Sequence, residues 1–392
     1  MIYKFGKIYL ENEIVTNGFV EVIDGKISQI LTKYDGEYAD YSMYEVLPGI
    51  IDIHSHGCMG YSATTTNPEE VYGYTKAISS TGVTGVFATT QEFETMSTVA
   101  DVIDSNVVKG ARILGIHAEG PYRHPKYMGA SKGFVWPKPS IEYTEKMIKA
   151  AKGHLKYMSV STDLEGVYEV MPCLLENGVR VANGHTDVDF EQMNYALRNG
   201  ITSISHFANA MRPIHQRNGG GIVSCLLDKN VKLELICDHI HVCREMLDLF
   251  FRVKSLEDFI LISDSSELAY MPEGRYFARG KERIVTKDGT ILIDDGTLSG
   301  SGKSIIHNMR ILRTKHNLPL LDIIKMASVN PAKYFNLYDK KGSIAVGKDA
   351  DLLIVDSQWN VIKTIVEGVV QYDKDVDVEI YNKNMKNLLK QD

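Results

Sequence analysis

From residue 50 to residue 264 the sequence changes texture eight times, from a short strand-like run to a stretch of helical periodicity and back. The runs at 50–54, 83–89, 112–117, 156–161, 179–183, 202–206, 232–237 and 259–264 predict strands. Several intervening helices announce their start. Asn67 precedes Pro68-Glu69-Glu70, an N-cap followed by proline at the first helical position. Ser140 stands before Ile141-Glu142-Tyr143, and Asp189 before Phe190-Glu191-Gln192 in a helix that Gly200 stops. Eight strands alternating with helices over about 280 residues predict a (β/α)8 TIM-like barrel. A doubly wound sheet competes with it, but no G-x-G-x-x-G follows the first strand.

The two ends of the chain read differently. Phe19-Val20-Glu21-Val22-Ile23, Asp24-Gly25 and Lys26-Ile27-Ser28-Gln29-Ile30 form a hairpin pattern, with Asp-Gly supplying the positive φ angles of a type I′ turn. Near the other end, 351–355 and 361–366 are strands, and Glu367-Gly368 turns into Val369-Val370. These ends predict a small β-sandwich domain built from residues 1–47 and 341–392, flanking a barrel over 48–340. Residues 275–298, with turns at Lys287-Asp288-Gly289 and Asp294-Asp295-Gly296, predict a β excursion after the eighth strand.

Composition narrows the partners. A net charge of -7 argues against nucleic acid, while a small anionic substrate needs only a local basic pocket. The five cysteines are scattered without a C-x-x-C pair, which fits free thiols in a reducing cytoplasm. The N-terminus lacks the apolar core of a signal peptide, and no run approaches the roughly 18 apolar residues of a membrane span.

Chemistry gathers at the strand ends, where a barrel keeps its active site. Pro48-Gly49-Ile50-Ile51-Asp52-Ile53-His54-Ser55-His56-Gly57 is a buried strand ending in a His-x-His pair that shares one face. Strand three ends in His117-Ala118-Glu119-Gly120-Pro121, strand five runs into Gly184-His185, strand six ends in His206, and strand eight in Asp264. One such histidine would pass for a satisfied core residue. Four of these histidines, His54, His56, His185 and His206, with two carboxylates, Glu119 and Asp264, at matching ends need a ligand to satisfy them, and a divalent metal is that ligand.

In this order His-x-His, Glu, His, His and a final Asp resembles the amidohydrolase superfamily, and more narrowly the N-acetylglucosamine-6-phosphate deacetylase family. The likeness runs through Asn183-Gly184-His185-Thr186, His206-Phe207-Ala208-Asn209-Ala210-Met211-Arg212-Pro213, Asp238-His239-Ile240-His241-Val242, Ser263-Asp264 and the stretch Gly342 to Leu352. The resemblance implies metal-dependent hydrolysis of the acetamide of a 6-phosphorylated N-acetyl amino sugar, such as N-acetylglucosamine 6-phosphate. Glu119, His185 and His206 would hold one ion. His54 and His56 would hold a second, with Glu119 bridging, so that one or two ions of zinc, iron, manganese or cobalt are expected per chain. Asp264 would move the proton from water to the leaving amine, and His241 would orient the carbonyl or a sugar hydroxyl. Asn209, the Ala210 amide and Arg217 match the family's phosphate site, with Arg217 reaching across a homodimer. Arg212 and His215 would add positive character.

Three positions depart from the family pattern: Ser131 after Gly129-Ala130, Ser265-Ser266-Glu267-Leu268-Ala269-Tyr270 after Asp264, and Asn218-Gly219-Gly220 after Arg217. All three would line the sugar or phosphate side. They leave open an N-acetylgalactosamine 6-phosphate substrate, or another acyl amino sugar or cyclic amide. A non-catalytic scaffold is the reading from a different class, and the full set of ligands argues against it. Gly300-Ser301-Gly302-Lys303-Ser304 imitates a phosphate loop, but Thr297 stands where that pattern needs glycine.

Overall fold

The computed structural model describes residues 1–388. Eight parallel strands form one sheet in chain order: Ile50–Ser55, Val83–Thr89, Arg112–Glu119, Leu155–Val160, Arg180–Asn183, Ile201–Ile204, Lys232–Leu235 and Phe259–Leu261. Each of the eight predicted strands is present within two residues of its expected start. The barrel closes just beyond the last strand. There the Asp264 amide donates to the His54 carbonyl at 2.9 Å, and Ser55 and Ser265 form a parallel bridge.

These strands are buried on both faces, as a barrel jacketed by helices requires. Every residue of Val83–Thr89 is buried. Side chains alternate between two cores. Ile51, Ile53, Phe87, Tyr157, Ala182, Ile236, Ile260 and Ile262 fill the interior, while Val86 and Ala88 pack outward with the helices. Ala332 and Tyr334 join the interior cluster, and the Tyr334 hydroxyl bonds Ser203 Oγ at 2.8 Å. The end helix Val329–Tyr334 therefore plugs one mouth, and the opposite mouth stays open.

The caps read from sequence are formed. The Asn67 side chain accepts from the Glu69 amide, Ser140 from Tyr143, and Asp189 makes a reciprocal capping box with Gln192. Both hairpin turns have two positive φ angles, Asp24-Gly25 at 49° and 76° and Glu367-Gly368 at 50° and 81°. The turns pack on each other. A β-carbon on Gly25 would lie 2.7 Å from the Glu367 carbonyl, so glycine is required for contact as well as for φ.

Both chain ends meet in one seven-stranded sheet. Its order is Val369–Asp373, Val361–Val366, Leu352–Val355, Ala39–Pro48, Ile2–Tyr9, Ile14–Ile23 and Lys26–Leu31. Ala39–Pro48 joins the halves and, after Gly49, becomes the first barrel strand. Tyr3, Phe5, Val20, Val46, Leu352, Ile354 and Ile365 form this sheet's own core. After the last strand the chain returns to the open mouth, where the Asn382 amide donates to the Met59 carbonyl. The excursion after the eighth strand is a small antiparallel sheet of Gly274–Ala278, Lys281–Val285 and Ile291–Leu292. The Gly300–Ser304 segment serves the barrel instead of a nucleotide: Ser301 bridges Ser265 beside the closing seam.

Candidate active site

The open mouth leads to a pocket of about 1100 Å³, lined among others by His56, Glu119, His185, His206, His241 and Asp264. Their carriers are the ends of different strands, and several sit in strained backbone. His185, His206, Ala210 and Asp264 have φ of 53°, 31°, 48° and 46°, left-handed values that disfavour non-glycine residues. Hydrogen bonds hold the strained turns in place. The Ser301 amide donates to the Asp264 carbonyl at 2.7 Å, and the Thr186 amide to the Ala210 carbonyl at 3.1 Å. Gly57 lets the His-x-His strand turn away, because a β-carbon there would lie 2.6 Å from Glu267 Cα.

Two triads of metal-ligating atoms converge: Glu119, His185 and His206, and His54, His56 and Asp264, all buried. In the first, Glu119 Oε1 lies 2.8 Å from His185 Nε2 and 3.1 Å from His206 Nε2, and the two nitrogens are 3.1 Å apart. In the second, Asp264 Oδ1 lies 3.5 Å from His54 Nε2 and 3.3 Å from His56 Nε2. Glu119 links the triads through Oε2, 3.2 Å from His56 Nε2.

The first triad fits a divalent ion. His185 Nδ1 donates to the Tyr127 carbonyl at 2.6 Å, which leaves the Nε2 lone pair facing inward. Burial lowers His185, and Arg123 lowers it further, to about 4, so it is a neutral ligand at physiological pH. Burial works against ionisation of Glu119, but Arg123 and the histidines hold it well below the ordinary carboxylate range. Burial would likewise lower His54, yet Asp264, Glu234 and Glu119 raise it to about 10. That pull measures the negative charge concentrated here, the field a divalent cation would meet.

Asp264 is also buried, and His54 and His56 bring it down to about 2. His241 stands at the pocket wall with Nδ1 2.7 Å from Asp238 Oδ2, and the aspartate raises it in spite of burial. Asn209 and Ala210 line the pocket. Arg217 does not: it is exposed, and its own amide donates to His215 Nδ1. Arg212 turns to Asp187 at 2.9 Å, and His215 is exposed.

Three charged residues of the site, Glu234, Arg123 and Arg279, lay hidden in the sequence, and a fourth, Glu267, stood there only as part of the departure after Asp264. Glu234 is fully buried; it accepts from His54 Nδ1 at 2.9 Å and from the His206 amide at 3.1 Å. Arg123 donates to Glu119 Oε2 at 2.8 Å and to Ser131 Oγ at 2.9 Å. Glu267 accepts from Arg283 at 2.8 Å and pairs with Arg279 at 3.3 Å. Arg279 in turn reaches His56, with Nη1 3.3 Å from Nδ1. His117, which also ends a strand, is a satisfied core histidine between Thr89 and Ser159.

Comparison with known proteins agrees with this architecture. The N-acetylglucosamine-6-phosphate deacetylase of Bacillus subtilis (strain 168) is 33% identical over 379 residues, covering 93% of this chain and 95% of the relative. The N-acetylgalactosamine-6-phosphate deacetylase of Escherichia coli O157:H7 is 27% identical, covering 89% and 93%. The crystal structure of N-acetylglucosamine-6-phosphate deacetylase from Thermotoga maritima superposes with a TM-score of 0.84 at 29% identity, over 95% of this chain and all of that one. The model of the amidohydrolase family matches residues 46–370, from the strand that enters the barrel to the last strand of the small sheet. A closed barrel with two ligand triads at its open mouth, matched across that span, makes the chain a member of the amidohydrolase family, a metal-dependent family of hydrolases.

Proposed function

We propose that this protein hydrolyses the acetamide of N-acetylglucosamine 6-phosphate to glucosamine 6-phosphate and acetate. The observation that carries the reading is the placement of the ionised Asp264 carboxylate in the pocket wall, beside the Glu119–His185–His206 triad. The names borne by relatives in Bacillus subtilis and Thermotoga maritima support the substrate. A divalent ion held by Glu119, His185 and His206 would supply Lewis-acid polarisation of the acetyl carbonyl and a more acidic bound water. Zinc, iron, manganese and cobalt all suit this donor set.

The chain's own residues do the rest. Asp264, depressed to about 2, is a carboxylate at neutral pH and accepts the proton of the attacking water. It returns that proton to the nitrogen, since an amine anion is a hopeless leaving group. Asp238 favours the form of His241 that donates from Nε2, which orients the carbonyl or a sugar hydroxyl. Asn209 and the Ala210 amide receive the phosphate. Arg217 completes that clamp from the partner subunit of a homodimer, in keeping with its exposure on its own chain. The five free cysteines and a phosphorylated metabolite suit a cytoplasmic enzyme. The division into a barrel (48–340) and a small β domain from both ends (1–47 and 341–392) belongs to the same proposal.

Acetate release from N-acetylglucosamine and N-acetylgalactosamine, each with and without a 6-phosphate, tests the reading. The expected order puts N-acetylglucosamine 6-phosphate first. A preference for the galacto epimer or for unphosphorylated sugars would reassign the substrate, and no release from any would remove the activity.

A further inference from the structure

Two of the departures from the family pattern, Ser131 and Glu267, each hold an arginine where the two triads meet: Ser131 holds Arg123 beside Glu119, and Glu267 holds Arg279 beside His56. A neutral histidine ligates through one ring nitrogen only when the other carries the proton, and that proton is normally donated to a carboxylate or carbonyl. His54 and His185 meet this condition, facing Glu234 Oε2 at 2.9 Å and the Tyr127 carbonyl at 2.6 Å. His56 does not. Its Nδ1 lies 3.3 Å from Arg279 Nη1, and a guanidinium has only donors. Nδ1 must accept, so the ring proton sits on Nε2. That nitrogen points between Glu119 Oε2 at 3.2 Å and Asp264 Oδ1 at 3.3 Å. With its proton there, Nε2 has no lone pair to offer an ion.

Arg279 is held in this position. It occupies the tip of the hairpin formed by Gly274–Ala278 and Lys281–Val285, at φ 48°, with Nε 3.3 Å from Glu267 Oε2. Glu267 is itself 2% exposed and anchored by Arg283 at 2.8 Å. On the other side, Glu119 Oε2 accepts from Arg123 Nη2 at 2.8 Å. Ser131 Oγ fixes that guanidinium at 2.9 Å, and the Trp136 ring covers it at 5.5 Å. The oxygen that a bridging carboxylate would lend to a second ion is thus taken by a cation. Two guanidiniums bring positive charge to the ligands where the second ion's charge would lie.

We propose that this chain holds one divalent ion, at Glu119, His185 and His206, and that Arg279 and Arg123 stand in electrostatically for a second. His56 is then a positioning residue that donates to Asp264, not a ligand. The inference rests on the reading of Glu119–His185–His206 as the metal site.

The test strips the purified protein with chelator, reloads it with excess Mn²⁺ and removes free metal. Native mass spectrometry and elemental analysis count the ions, and electron paramagnetic resonance separates an isolated ion from an exchange-coupled pair. The wild type should carry one ion per chain with the spectrum of an isolated ion. In Arg279→Gln the amide carbonyl can accept from His56 Nδ1, freeing Nε2, while Glu267 keeps Arg283. The count should rise toward two and a coupled spectrum should appear. Arg279→Ala makes the same test should the glutamine variant fail to fold. A coupled pair in the wild type would overturn the inference, as would a count fixed at one in a folded Arg279 variant. A wild type that takes up no ion would remove the metal-site reading itself, and this inference with it.

Discussion

Asp264 occupies a left-handed backbone conformation that costs a non-glycine residue about 1–3 kcal/mol, and the barrel seam holds it there through bonds to His54 and Ser301. Asp264→Asn keeps the shape and loses the proton acceptor, so turnover should fall by about 10²–10⁴-fold with folded content and bound metal unchanged. Steady-state kinetics beside elemental analysis decides it, and retention of most of kcat would assign the proton to another group. Glu267 gives a second prediction. Burial pushes its pKa up, but Arg279 and Arg283 outweigh burial and bring it to about 2. The folded value lies below the unfolded one, so its stabilisation is complete above about pH 4.3 and is lost as pH falls through about 2. Glu267→Gln should therefore show a shallower loss of stability on acidification over that window. It should also be weaker at neutral pH, by roughly 3–5 kcal/mol, because two arginines lose their counter-charge. Denaturant unfolding across pH measures both. Histidines at strand ends were legible in the sequence because imidazoles at that position are chemically conspicuous. Glu234 was not, since Lys232-Leu233-Glu234-Leu235 reads as a strand with one wet face. In a closed barrel both faces are covered, and the glutamate points inward to His54.

At the scale of elements, local chemistry decided what the sequence disclosed. The barrel strands, the two Asx-Gly and Glu-Gly hairpin turns, and the caps at Asn67, Ser140 and Asp189 each depend on a few consecutive residues. The capping box at Asp189 serves a short helix, Phe190–Arg198, in which only Met193 and Ala196 are buried. With little packing to compensate, Asp189→Ala should cost about 1 kcal/mol, read as a lower midpoint in thermal or urea unfolding. A loss within error would mean that helix packing, not the cap, holds this segment. What the sequence withheld depends on distant partners. The pairing of Ile2–Tyr9 with Ala39–Pro48 in parallel, and of Ala39–Pro48 with Leu352–Val355, joins segments that no local pattern relates. The same holds for the Gly274–Val285 hairpin. Its alternation announces a strand pair, but only the folded chain shows that its tip delivers Arg279 to His56.

For the whole molecule, a pocket built by one chain has to grip a phosphate. Asn209 and Ala210 lie in its wall, whereas Arg217, eleven residues beyond His206, stands exposed on the loop that leads into the helix Gly220–Leu227. Were Arg217 part of its own chain's clamp, it would have to leave that position. In a homodimer it need only meet the neighbouring mouth. A charge-assisted bond to phosphate contributes on the order of 1.5–3 kcal/mol, so Arg217→Met should lower kcat/KM by roughly ten- to a few hundred-fold. The loss should nearly vanish for a substrate without the phosphate. Mixing Arg217→Met subunits with Asp264→Asn subunits separates the two placements. In a mixed dimer with crossing clamps, one mouth combines an intact Asp264 with an intact Arg217 from the partner, so activity should rise above both parents. Exchange is verified independently by native mass spectrometry of differently tagged subunits. If exchange occurs and activity stays at the parental level, Arg217 acts within its own chain, and the dimer has no part in holding the substrate.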